Sequence, residues 1–200
     1  MANYEYIIAS LPVLNKGGKG LTIEEEEAVL SEITEQLSNS DRDLVSFLQK
    51  GWDDASLNEE FYSSALRHRN SFLRRYFTFD LMMRNAKVEF LNKALGRPEG
   101  MDLVLPEGFE PDPDELQKAE SALATDNLLG RERAMDELMW EMADEAVLFN
   151  LFDINVVLAF LSKLHIVQRW SRLDENTGRE MFRRLVDEVR GTFRGVDYKE

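Results

Sequence analysis

The chain has 200 residues, no cysteine, and 38 acidic against 24 basic residues for a formal net charge of −14. The missing cysteines exclude disulfides, thiolate metal centres and cysteine nucleophiles, and the acid excess opposes a phosphate backbone, so no nucleic-acid partner is expected. Hydrophobic residues at 44% and charged residues at 31% suit a globular domain. No run of about 18 apolar residues marks a transmembrane segment, and Met1 to Tyr6 lacks the basic stretch of a secretory signal. A cytoplasmic location is expected.

Apolar residues recur every three to four positions along nearly the whole chain, which predicts an all-α fold of about seven or eight helices, with room for two related helical halves. Tyr4 to Leu14 reads as a short helix stopped by Pro12, or as a strand. Asn15 to Gly20 is a loop. It lacks the Gly-Lys-Ser/Thr ending of a phosphate-binding loop. Thr22 and Glu25 form a capping box, and Val29, Leu30, Ile33 and Leu37 are the buried stripe of the helix that follows. Glu24 to Glu27 lie over the positive end of that helix. Neighbouring residues point about 100° apart, so these four cannot converge on one ion. Asp41 is the expected cap of a helix that stops at Gly51. Asn58 then opens the longest pattern, which reaches Gly96 with a bend expected near Thr78 to Asp80.

Arg97 to Pro113 holds four of the five prolines. It divides the chain into an N-terminal helical half (residues 1–97), a proline-rich hinge (98–113) and a C-terminal helical half (114–200). Asp112 and Pro113 restart a helix expected to run to about Leu129 and stop at Gly130. The next is expected from Arg131 to about Asn150 on the stripe Met135, Leu138, Met139, Met142 and Ala146. Asp153 caps a third along Ile154, Val157, Leu158, Leu161 and Leu164, and Thr177 to Val189 forms the last. An offset of 70 aligns Phe79-Asp80-Leu81 with Phe149-Asn150-Leu151, Asn85 with Asn155 and Lys93 with Lys163. Such an echo is either a structural repeat or the resemblance of one amphipathic helix to another.

Candidate chemistry is sparse. His68 and His165 are the two histidines, and neither has a glutamate three residues before it, as a helical di-iron site requires. No His-Glu-x-x-His zinc motif and no nucleophile elbow is present. His165 reads as a histidine of the core or its boundary. No metal, cofactor or catalytic residue is expected, although 38 acids leave paired carboxylates open. Charge is distributed unevenly. Between Arg67 and Arg97 eight basic residues face Asp80 and Glu89 alone, a local +6 that leaves −20 for the rest. Arg67, Arg69, Arg74, Arg75, Arg84 and Lys87 are the candidate partner-binding residues. They would dock an acidic partner, or they would seat this helix on the acidic helices of its own fold. The two readings are compatible.

Two segments carry a resemblance. The opening Asn3-Tyr4-Glu5-Tyr6-Ile7-Ile8-Ala9-Ser10-Leu11-Pro12-Val13-Leu14 resembles the start of a bacterial family of unknown function encoded within V-type ATP synthase operons. More distantly it resembles the C/d subunit of the V-type ATPases, which is lettered d in the eukaryotic complex. Asp153 to Leu164 is similar to the recurrent helix of that C/d subunit, with its Asp-Ile/Val-x-Asn core, although Ser10, and Leu161 or Ser162, stand where that family carries arginine. The resemblance implies a non-catalytic rotor-coupling part. Its partners would be the central stalk and membrane rotor ring of the V-type ATP synthase, and it would sit in the cytoplasm, peripheral to the inner membrane through the complex. No functional residue transfers with it. The alternatives are a small helical hydrolase with a carboxylate-bound metal and a stand-alone helical adaptor.

Overall fold

A computed structural model describes residues 3–17, 20–172 and, singly, 183, 184 and 186. Eight α-helices and no strand are found among them: α1 (Tyr4–Ser10), α2 (Ile23–Gln36), α3 (Asn39–Lys50), α4 (Glu59–Leu66), α5 (Ser71–Leu95), α6 (Pro113–Leu123), α7 (Leu128–Glu145) and α8 (Ile154–Arg172). The protein is all-α, as its periodicity predicts. The expected helix Thr177 to Val189 lies outside the described residues apart from 183, 184 and 186.

Short polar side chains start the helices by accepting the first free backbone N–H groups. The Thr22–Glu25 capping box is complete, with Thr22 N–H donating to Glu25 at 2.9 Å and Glu25 N–H to Thr22 Oγ1 at 3.2 Å. Asp112 caps α6 with Pro113 in its first turn, and Asp153 accepts the N–H of Asn155 at 2.9 Å to begin α8. Four expected boundaries move, one of them the end of α7, which stops at Glu145 and not near Asn150. Ser38, not Asp41, caps α3: its hydroxyl accepts from the Asp41 N–H and donates to the Asp41 carboxylate at 2.6 Å. Gly130 lies in the first turn of α7, because Asn127 caps that helix through the Gly130 N–H after α6 has ended at Leu123. The last lies in the long pattern opened by Asn58: α5 is unbroken helix through Thr78 to Asp80, and the interruption falls at Arg67 to Asn70. His68 Nδ1 accepts from the Asn70 N–H at 3.0 Å, and Asn70 Oδ1 accepts from Leu73 at 2.9 Å to open the new helix. Helix α5 is then about 37 Å long at 1.5 Å per residue. Gly96 ends it in the left-handed conformation at φ 64°, with the Arg97 N–H reaching back to the Asn92 carbonyl.

Helices α5 and α8 form the centre. Helix α5 packs on α4, α6, α7 and α8, and α8 packs on α1, α3, α5 and α7. Both start at the same end of the bundle, where the Asn70 side-chain amide donates to Asn155 Oδ1 at 2.7 Å. One continuous apolar core joins Ile7, Leu48, Phe77, Leu81, Leu123, Met142, Leu158 and Leu161. Its densest part is aromatic: Phe47 stacks on Phe61 at 5.2 Å, and Phe61 meets Phe77 edge-on at 5.0 Å. Gly51 ends α3 at an ordinary negative φ, so it is not there for backbone freedom. A Cβ at that position would lie 2.2 Å from the Phe77 ring.

The stretch from Gly96 to Asp112 has no regular structure, but α5 holds it through side-chain amides. Asn85 brackets Val104, donating to its carbonyl at 2.8 Å and accepting its N–H at 3.1 Å. Buried Asn92 donates to the Met101 carbonyl at 2.8 Å, and Glu89 accepts the Gly100 N–H at 3.0 Å. The 70-residue echo is not a structural repeat. Phe79 is buried in mid-α5 whereas Phe149 lies on an exposed turn, and Asn85 sits in mid-helix whereas Asn155 is in the first turn of α8. The two strings share spacing because both belong to amphipathic helical sequence, not because they occupy equivalent places.

Candidate interaction surface

The basic residues of α5 and the elbow before it divide into two sets. One set is spent within the fold. Arg75 makes a two-pronged pair with Glu115 of α6, with Nη1 at 2.9 Å from Oε2, and its guanidinium lies over the Phe79 ring. This pairing raises the Arg75 pKa. Arg84 Nε lies 3.0 Å from Asp80 and its Nη1 3.1 Å from Asp54. Asp80 also accepts the Tyr62 hydroxyl at 2.6 Å. Burial still pushes the Asp80 carboxyl up, against the pull of Arg84 and Tyr62. Lys87 pairs with Glu132 of α7, which also meets Arg169 of α8 at 3.7 Å. These three cations therefore bind α5 to its own acidic neighbours.

The other set gathers at the α4–α5 elbow. Arg67 is exposed and touches Glu107 at 2.9 Å, a pair that contributes little in solvent. Arg74 is exposed and donates to the His68 carbonyl at 2.8 Å, and Arg69 is exposed with no ion pair among the described residues. Leu44, Ser64, Arg67, His68, Arg69 and Asn70 line an open cleft of about 650 Å³. A second cleft of about 360 Å³ lies between Arg74, Arg75 and Gly108. Burial lowers the pKa of His68, whose ring packs against Phe47, so the positive charge at this end comes from the arginines. The N-termini of α5 and α8 add partial positive charge at this end.

Beside the elbow lies a feature that periodicity alone did not single out. The turn between α7 and α8 carries Leu148, Phe149, Leu151 and Phe152, with 69%, 92%, 74% and 54% of their surface in solvent. This knuckle is ordered. Leu148 N–H reaches the Glu145 carbonyl and Asn150 N–H the Val147 carbonyl, and the Asn150 amide bonds to Asp153. Asp153 is in turn held by the first turn of α8. Because Asn155 bonds to Asn70, knuckle and arginine elbow lie at one end of the bundle. The run Leu148-Phe149-Asn150-Leu151-Phe152 was the available signal: connecting segments are usually polar, and helical spacing hid this one by absorbing it into the flanking helices.

His165 is half-buried and stacks on Trp52 with ring centroids 4.3 Å apart and planes 8° off parallel. Burial, helped by Arg169 and Arg172, pushes its pKa down to about 4, and Glu26 opposes this. The methionine stripe is core: Met135 and Met142 are buried, and Leu138, Met139 and Ala146 are half-buried. Among the described residues no group of three or more His, Asp or Glu side chains is placed to hold a metal ion. No helix among them is long and apolar enough to cross a membrane.

Comparisons with curated proteins and with solved structures returned no match. A family profile described as a protein of unknown function (DUF2764) matches residues 92–192, which is half of the chain, and the chain belongs to that family.

Proposed function

We propose that this chain is a non-catalytic accessory subunit. It binds other proteins within a V-type ATP synthase, cytoplasmic and peripheral to the inner membrane, and acts in rotor coupling in the manner of the C/d subunit. The observation that carries an interaction role is the ordered apolar knuckle Leu148 to Phe152, held out in water beside an arginine-lined cleft. Large apolar side chains clustered on a surface mark a contact site. The choice of assembly rests on the resemblance of the Asn3 to Leu14 and Asp153 to Leu164 strings to the operon-encoded family and to the C/d subunit.

Affinity purification of the tagged chain in mild detergent, from cells that express the ATP synthase, tests this reading. Central-stalk and rotor-ring subunits are expected to co-purify in fixed ratio. Their absence, with the tagged chain intact, refutes the assignment to this assembly and leaves the stand-alone adaptor and the carboxylate-metal hydrolase.

A further inference from the structure

We propose that the knuckle and the arginine elbow form one docking site, and that its occupant is an acidic amphipathic helix of a partner protein. The inference deepens the accessory-subunit reading and rests on it for the idea that a protein is bound. Leu148, Phe149, Leu151 and Phe152 offer an apolar ridge on which the apolar stripe of a helix would lie. Arg67, Arg69 and Arg74 are the exposed cations at the same end, and the α5 and α8 N-termini reinforce their sign. Carboxylates flanking the apolar stripe of the bound helix would meet them, which fixes its direction across the site.

Two acids near the knuckle are engaged: Asp144 pairs with Lys163 at 2.7 Å and Asp153 caps α8. Glu145 is exposed near Arg75 and makes no ion pair among the described residues, and Glu107 meets Arg67 at 2.9 Å. Arg69 and Arg74 therefore carry the positive charge open to a ligand at this end, although the chain as a whole carries −14. That contrast separates a single helix from an anionic bilayer. Both are screened within about 8 Å at physiological salt, but a flat anionic plane brings a wider part of this acidic chain within that distance than a single helix does, and so meets more of its negative charge.

The test uses the full chain and two labelled peptides of about 18 residues, five turns of helix. They share one leucine stripe, and their polar face is glutamate in one and lysine in the other. Fluorescence anisotropy is expected to show saturable binding of the glutamate peptide, weakened by added salt, with the lysine peptide at least about tenfold weaker. Phe149→Ser should weaken the glutamate peptide about tenfold and Arg69→Glu about fivefold, with far-UV circular dichroism unchanged. No binding of the glutamate peptide, equal or tighter binding of the lysine peptide, binding unmoved by both substitutions, or preferential binding to phosphatidylglycerol vesicles would each overturn the proposal. Peptide binding without co-purifying ATP synthase removes the assembly and keeps the site. The reverse result removes the site alone.

Discussion

Stacked on Trp52 and flanked by Arg169 and Arg172, His165 has reason to stay neutral, and that has a cost in acid. In the unfolded chain an imidazole takes its proton near pH 6.5; in the folded chain His165 takes it only near pH 4. Between those values the unfolded state binds more protons, so stability rises with pH there. The contribution of this group is complete above pH 6.5 and is lost as pH falls towards 4. At about 1.4 kcal/mol per pH unit the loss is about 1 kcal/mol by pH 5.5 and about 3 kcal/mol by pH 4. His165→Phe keeps a flat ring against Trp52 and has no proton to gain, so it should flatten this part of the curve. Asp80 and Asp136 act in the opposite direction, because burial raises both carboxyls and their protonation favours the folded state. They are common to both proteins, so the difference between the curves isolates His165. Urea unfolding followed by tryptophan fluorescence at pH 7, 5.5 and 4.5 measures it. Parallel curves for the two proteins, or an imidazole pKa at or above 6.5 in the folded wild type by NMR, would refute the reasoning.

Other expectations follow from single contacts. Gly51→Ala, which at this negative φ should gain up to about 1 kcal/mol from a stiffer unfolded chain, is expected instead to destabilise by about 1–3 kcal/mol by driving a methyl into the Phe77 ring; a raised Tm would contradict this. Asn85→Ala strips both backbone groups of Val104 of their partner and should cost about 2 kcal/mol, with faster proteolysis between Arg97 and Pro111. Phe149→Ser should change stability by less than about 0.5 kcal/mol, whereas Phe77→Ala, at 0% exposure, should cost about 3–5 kcal/mol; thermal melts compare the two. Glu115→Gln should loosen α6 from α5 by about 1 kcal/mol, read as a lower urea midpoint.

The helical class, the capping box at Thr22, the proline start of α6 and the buried stripe of α8 were legible because each depends on near neighbours in the chain. The α4–α5 elbow was not. It contains neither glycine nor proline, and it breaks the helix through hydrogen bonds of His68 and Asn70 that periodicity cannot register. Gly130 misled for a related reason: glycine suggests a helix stop, but Asn127 captures its N–H and makes it part of a start. Among the basic residues, local charge marked out a region but not its division. Only the fold shows that Arg75, Arg84 and Lys87 meet Glu115, Asp80 and Glu132, while Arg67, Arg69 and Arg74 face outward. The knuckle is visible as a string, yet its exposure depends on where α7 ends and α8 begins.

The amides of Asn85 and Asn92 have a mechanical consequence. They fasten the connecting segment along α5, and that segment leads directly into α6, which Arg75 ties back to the same helix through Glu115. Helix, connector and second helix thus close into a braced triangle. A load applied near the arginine elbow would travel down α5 as through a strut, since the longest stretch without helix among the described residues has been denied the slack to absorb it.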